Sequence, residues 1–285
     1  MVTKEEIIKY YTDYLPAYER FWMNRDNLAI HYGYWTPSTR SHHESLLNMN
    51  RLVAEKGRIS KADIVLDAGC GVGGTAIWLA KEIGCKVNGI TICTDHVGLA
   101  ERNAERMGVG HLTRFEERDY TDTGYPGNSF DVVFSIESVC HAEDKRNFIR
   151  EAFRILKPGG RLIVTDGFLR RQPRESHEMH VYSKCCEGWQ TPNLALITEF
   201  LSSLKSEGFA AVECKDITTD MLPSSKRMYL INNVLYPLRL IEALFRPITG
   251  SKKRPSGAGF YQYQLFTNGV GAYCVFNGTK PRGMA

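Results

Sequence analysis

From residue 63 to residue 166, short β-branched apolar runs alternate with stretches of helical length. The runs at 63–67, 86–91, 113–118, 130–136 and 161–166 read as strands, and 74–83, 95–107 and 144–156 read as helices. That alternation predicts an α/β core, a mostly parallel sheet with helices on both faces. Right-handed crossovers bring the carboxyl ends of such strands to one edge, where open α/β sheets bind ligands. Asp67, Thr91, Asp119, Glu137 and Asp166 all fall at strand ends.

The flanks carry other patterns. Residues 3–25 predict a helix rich in rings (Tyr10, Tyr11, Tyr14, Tyr18, Phe21, Trp22), followed by Ile30-His31-Tyr32-Gly33-Tyr34-Trp35 and a second helix over 41–56. Beyond the core, 193–207 reads as a helix and 210–217 as a strand. The apolar stretch 228–245, interrupted by Pro237, Arg239 and Glu242, reads as a pair of cap helices. An exposed, mobile loop is expected at 250–258. Closing strands are expected at 261–267 and 271–277, the last antiparallel. The divisions are 1–58 as an N-terminal helical segment, 59–217 as the core, 218–258 as a cap insertion and 259–285 as closing strands.

Composition narrows the class. A hydrophobic share of 43% in 285 residues is ample for one enlarged domain. The net charge of +4, from 36 basic and 32 acidic residues, is too balanced to point to nucleic acid. There is no long uncharged apolar run, so no membrane span is expected; peripheral membrane contact stays open. The start, Met1-Val2-Thr3-Lys4, lacks the apolar core of a signal peptide. The eight cysteines form no C-x-x-C pair and none stands with His at zinc spacing, so they read as reduced thiols of a cytoplasmic protein with no metal site.

The chemistry centres on residues 65–74, Val-Leu-Asp-Ala-Gly-Cys-Gly-Val-Gly-Gly. A strand ends in a carboxylate, Asp67. A glycine turn follows, and then a helix whose free N–H groups suit an anionic ligand. Gly69-x-Gly71-x-x-Gly74 also satisfies the dinucleotide fingerprint. Two details weigh against a nicotinamide site: Asp67 is well placed for an ammonium group, and the strand 86–91 ends without the acid that a nicotinamide ribose favours. A turn that merely packs a helix on a strand is the bland alternative.

Asp67-Ala68-Gly69-Cys70-Gly71-Val72-Gly73-Gly74 resembles the first motif of class I S-adenosylmethionine-dependent methyltransferases. Arg118-Asp119-Tyr120, Ser129-Phe130-Asp131-Val132-Val133 and Leu156-Lys157-Pro158-Gly159-Gly160-Arg161 follow in that family's order. The resemblance covers roughly residues 60–217 and implies a Rossmann-like, seven-stranded, mostly parallel sheet with an N-terminal helical lid and a cap inserted before the last strand. It implies S-adenosylmethionine as cofactor, S-adenosylhomocysteine as product, a small-molecule acceptor and a monomer or homodimer. Asp67, Gly69, Gly71 and Gly73 would hold the amino-acid end. Thr91 and Ile92 would flank the ribose and adenine, Asp119 and Tyr120 would meet the adenine, and Ile136 completes the cofactor set. The segment Ile92-Cys93-Thr94-Asp95-His96 departs from the family's Leu-Ser-Pro and later Gln, and Asp95 also reads as a helix N-cap.

Ile136-Glu137-Ser138-Val139-Cys140-His141-Ala142 resembles a stretch of the sterol C-methyltransferases and, more loosely, of sugar O-methyltransferases. It implies Glu137, His141 and Asp166 as catalytic groups, with Asp166 orienting His141 or acting as the base. The plain alternatives are a structural His and turn carboxylates. The N-terminal rings suit a sulfonium or a carbocation. The expected activity is therefore C-methylation of an apolar isoprenoid or sterol-like acceptor. O- or N-methylation of a natural product is the alternative; a nicotinamide oxidoreductase or a fold without chemistry is more distant. A diphosphate acceptor would need an anion site, for which only Arg170, Arg171 and Arg174 offer themselves.

Overall fold

A computed structural model describes the backbone of residues 2–245 and 257–283, and the side chains of all of these except 234–245. The N-terminal part holds α1 (Lys4–Phe21), opened by a Thr3/Glu6 capping box, and α2 (His42–Lys56). The core follows as β1 (Ile64–Ala68), α3 (Gly74–Glu82), β2 (Lys86–Thr91), α4 (Thr94–Arg106), β3 (Thr113–Glu117), β4 (Phe130–Ile136), α5 (Lys145–Ile155) and β5 (Leu156–Leu169). Then come α6 (Ser176–Trp189), α7 (Ile197–Glu207), β6 (Ala210–Asp216), α8 (Thr218–Phe245), α9 (Ala258–Thr267) and β7 (Gly271–Thr279).

The sheet has seven strands in the order β3-β2-β1-β4-β5-β7-β6. β1 to β5 pair in parallel, and β7 runs antiparallel between β5 and β6. Strand alternation splits the core into two layers. Val65, Val87, Val132 and Ile163 face one side and pack with Leu46, Leu79 and Ala100 of α2, α3 and α4. Leu66, Val133, Leu162 and Val164 face the other and pack with Phe148 and Phe200 of α5 and α7. Two motif residues hold the strands in register. Asp131 accepts the Ile64 N–H at 2.9 Å and pairs with Lys157 at 2.8 Å, while Arg161 pairs with Asp63.

The C-terminal third differs from expectation. Residues 261–267 belong to the helix α9, not to a strand, so 259–285 contributes one closing strand. Leu265 and Phe266 are buried, and Gly259 lies against Met228, so tertiary packing overrides the strand preference of Phe260, Tyr261 and Tyr263. The expected pair of cap helices is one helix, α8, which begins at Thr218, where Asp216 accepts the Thr218 N–H at 2.9 Å. Most of the loop expected at 250–258 lies outside the described residues. Among those described, no helix is long and apolar enough to cross a membrane.

Candidate functional site

One cavity of about 370 Å³ opens at the carboxyl ends of β1, β2, β4 and β5. Its floor is the turn after β1. Gly69 (φ +108°) and Gly71 (φ +52°) adopt backbone that side chains disfavour. The Gly69 and Cys70 N–H groups both donate to the Ile90 carbonyl at 2.9 Å, which pins the turn to β2. Asp67 stands beside it, 4% exposed, with no ion pair among the described residues. Burial pushes its carboxyl up to about 8, against the pull of the Ala76 N–H.

The second wall is the turn after β4. Glu137 takes a left-handed conformation (φ +51°), and its N–H donates to the Thr165 carbonyl at 2.8 Å. Its carboxylate accepts the Tyr32 N–H at 2.7 Å and the Tyr273 hydroxyl at 2.5 Å. Burial, the largest influence, pushes it up to about 8. Asp166 accepts the Cys140 N–H at 2.8 Å and the Gly167 N–H at 2.7 Å; burial raises it to about 6. Neither forms an ion pair among the described residues.

His141 lies on the short 3₁₀ turn Val139–His141. Its Nδ1 is 3.1 Å from the Gln190 carbonyl, which can only accept, so Nδ1 carries the proton. Nε2 is then the acceptor, and the Tyr11 hydroxyl donates to it at 2.9 Å. Burial, aided by the charge of Lys145, holds the imidazole down to about 4, so it is neutral at pH 7.

The N-terminal segment closes the top. Tyr11 reaches His141, Lys4 pairs with Asp119, Ile30 sits 3.4 Å from where a side chain on Gly71 would begin, and Leu28 crowds Gly74. Tyr18, Trp22 and Tyr32 complete this wall; Cys185, Trp189, Leu194, Met228 and Phe266 line the far side.

A family model described as a methyltransferase domain matches residues 66–164. The 2-methyl-6-phytyl-1,4-hydroquinone methyltransferase of Synechocystis sp. is 33% identical over 214 residues, covering 72% of this chain and 66% of that protein. The chloroplastic tocopherol O-methyltransferase of Arabidopsis thaliana is 25% identical over 237 residues, 77% of this chain and 67% of that protein. The crystal structure of the [4+2]-cyclase SpnF superposes with a TM-score of 0.79 at 23% identity, covering 99% of this chain and 97% of that one, which speaks for the fold. The chain belongs to the class I S-adenosylmethionine-dependent methyltransferases. It is a small-molecule methyltransferase, and the nicotinamide and non-catalytic readings fall away.

The residues present fit that cofactor. Asp67 is a buried carboxylate with no cation beside it among the described residues, as an ammonium site requires. A side chain on Gly71 would meet only the end of Ile30, so the turn stays open on the cavity side. Of the residues expected to bind cofactor, Asp67, Gly69, Gly71, Thr91, Ile92, Asp119, Tyr120 and Ile136 line the cavity, as do Glu137, His141 and Asp166. Gly73 does not; a side chain there would meet Phe115 of β3 and Ala100 of α4. Thr91 accepts the Cys93 N–H at 3.2 Å, and Cys93, not Asp95, is the N-cap of α4. Asp119 is engaged by Lys4 and by Thr121, whose N–H donates at 2.7 Å, and the Tyr120 hydroxyl donates to Ser138 at 2.8 Å.

Two further expectations need correction. Asp166 makes no hydrogen bond to His141 among the described contacts; the Gln190 carbonyl orients the ring instead. Two of the three arginines that offered an anion site are already engaged. Arg170 is paired with Asp216, Arg171 with Glu178, and neither lines the cavity. Tyr273 and His96 line the cavity and Gln190 braces His141, although the sequence pattern marks none of them as site residues. Only the departure at Ile92–His96 offers a signal, and only for His96.

Proposed function

We propose that the chain transfers a methyl group to an alkene carbon of an apolar, isoprenoid-like small molecule. The observation that carries this reading is the buried Asp166 beside the half-buried Glu137, neither with an ion pair among the described residues, in a cavity walled by Tyr11, Tyr18, Trp22, Tyr32, Trp189 and Tyr273. Asp67 already suffices for the cofactor's ammonium. Two further carboxylates amid aromatic faces suit an acceptor that becomes cationic during reaction.

S-adenosylmethionine, when bound, supplies an electrophilic methyl on a good leaving group. The protein's part is alignment and charge. Asp67 and the Gly69–Gly71 turn hold the amino-acid end, and Thr91, Ile92, Asp119 and Tyr120 lie where the nucleoside would rest. As an alkene carbon takes the methyl, positive charge develops on the acceptor. The rings, Asp166 and Glu137 face it, and that charge favours the ionised form of Glu137 against the burial that raises it to about 8. A proton then leaves the acceptor, and neutral His141, through Nε2 or the Tyr11 hydroxyl bonded to it, is the base. The closed N-terminal wall keeps water from that cation.

A hydroxyl acceptor is the second reading. His141 Nε2 already accepts a bond from a phenolic O–H at 2.9 Å, and the Arabidopsis relative is named an O-methyltransferase. Incubation with methyl-deuterated cofactor and matched acceptors, one alkene without a hydroxyl and its phenolic counterpart, decides between them. Mass increase on the alkene with a new C–CH₃ signal supports C-methylation. Turnover confined to hydroxyl or amine acceptors overturns it.

A further inference from the structure

His141 depends on two segments distant in sequence: its own 3₁₀ turn, and the loop after α6 that supplies the Gln190 carbonyl. Lys145, the first residue of α5, ties them together. It is 7% exposed, and its Nζ donates to Cys140 O at 3.0 Å, Ala142 O at 2.6 Å, Asn193 O at 2.8 Å and Asn193 Oδ1 at 2.9 Å. Two of these oxygens flank His141 in its turn; the other two belong to a residue just beyond Gln190. The Asn193 amide in turn donates to Glu143 O at 2.9 Å.

A buried ammonium ordinarily has a carboxylate partner. Among the described residues Lys145 has none within ion-pair distance. Its three N–H groups are instead spent on four oxygens. Such an arrangement is specific in geometry: a point donor at the end of a flexible stem converges on all four, whereas the planar fork of arginine does not.

We infer that Lys145 is a positioning residue, a clamp that holds the His141 turn against the Gln190 loop, keeping Nδ1 protonated and Nε2 the acceptor. The inference rests on the proposed role of His141 as base. A merely structural lysine would lower stability and nothing else. A clamp must also set the tautomer of one imidazole.

The test is nitrogen-15 imidazole spectroscopy of wild type, K145M, K145R and N193A, with the His141 signals assigned from H141Q, beside steady-state kinetics and S-adenosylhomocysteine titration. Wild type shows one tautomer with the proton on Nδ1. K145M shows a mixture, and kcat falls about 100-fold, the scale of a misplacement near 1 Å, with product affinity unchanged. K145R recovers part of the tautomer preference, and N193A shifts it in the same direction as K145M, which keeps the test open if K145M does not fold. The clamp is overturned if the folded variants melt at lower temperature but keep the wild-type tautomer and kcat. The spectra need neither cofactor nor acceptor. A wild-type enzyme inactive on every alkene would refute the proposed reaction, while the tautomer ratios would still decide for or against the clamp.

Discussion

Gly69 and Gly71 stand two residues apart in one turn, yet alanine at each has a different consequence. At Gly69 a Cβ would lie 2.3 Å from both Cβ and Oγ of Ser138, on a backbone with φ +108°. Ser138 cannot swing aside cheaply. Its Oγ is 2.5 Å from the Ser135 hydroxyl and 2.5 Å from the Ala68 carbonyl. Backbone strain costs about 1–2 kcal/mol and overpacking about 1–3 kcal/mol, so Gly69→Ala loses about 2–5 kcal/mol of stability. At Gly71 (φ +52°) the Cβ meets only Ile30 Cδ1, at 3.4 Å. Strain alone costs about 1 kcal/mol. Gly71 and Ile30 both line the cavity, however, so the added methyl enters ligand space and weakens S-adenosylhomocysteine binding about tenfold or more. Urea unfolding of the ligand-free variants and calorimetric titration read the two effects separately. Equal stability losses for both variants, or a neutral Gly69→Ala, would show that the Ser138 contact does not set the cost.

Tyr11→Phe removes the O–H at His141 Nε2 while keeping the ring; kcat should fall by about 10- to 100-fold, the scale of one lost polar contact in a dry site, with cofactor affinity little changed in steady-state assays. Stability should peak near neutral pH. Asp67, Glu137 and Asp166 are raised in the fold, so the stability they contribute is full below about pH 4 and is lost as pH climbs through about 6 and 8. His31, His42, His96 and His141 are lowered, so their contribution is lost as pH falls below about 6.5. Melting curves from pH 5 to 9 check this, and added S-adenosylhomocysteine should rescue the alkaline side most, because its ammonium pairs Asp67. A melting temperature that rises steadily to pH 9 without ligand would contradict it.

The parallel core was legible because each strand is a short β-branched run and each crossover a helix, which leaves topology few choices. The carboxylates of β1, β4 and β5 were legible for the same reason: right-handed crossovers bring strand ends to one edge. The cap was not. Aromatic residues at 260–263 carry strand preference, and only burial against α6 and α8 makes them helical. Pro237, Arg239 and Glu242 suggested a break in a helix that runs through them. The second half of the site depends on contacts no local pattern announces: Tyr273 reaches Glu137 across 136 residues, and Gln190 reaches His141 across 49. The Gln190 carbonyl is free to do so because α6 ends there in a left-handed residue, φ +52°, a cap that the glutamine does not signal.

The proposed function divides the work of the cavity between two carboxyl groups: Asp67 would serve the cofactor and Glu137 the acceptor. The sharpest check is calorimetric titration of S-adenosylhomocysteine into wild type, Asp67→Ala and Glu137→Gln. Binding is expected in wild type, lost in Asp67→Ala and retained in Glu137→Gln. Retained binding in Asp67→Ala, or loss in a folded Glu137→Gln, would contradict that assignment.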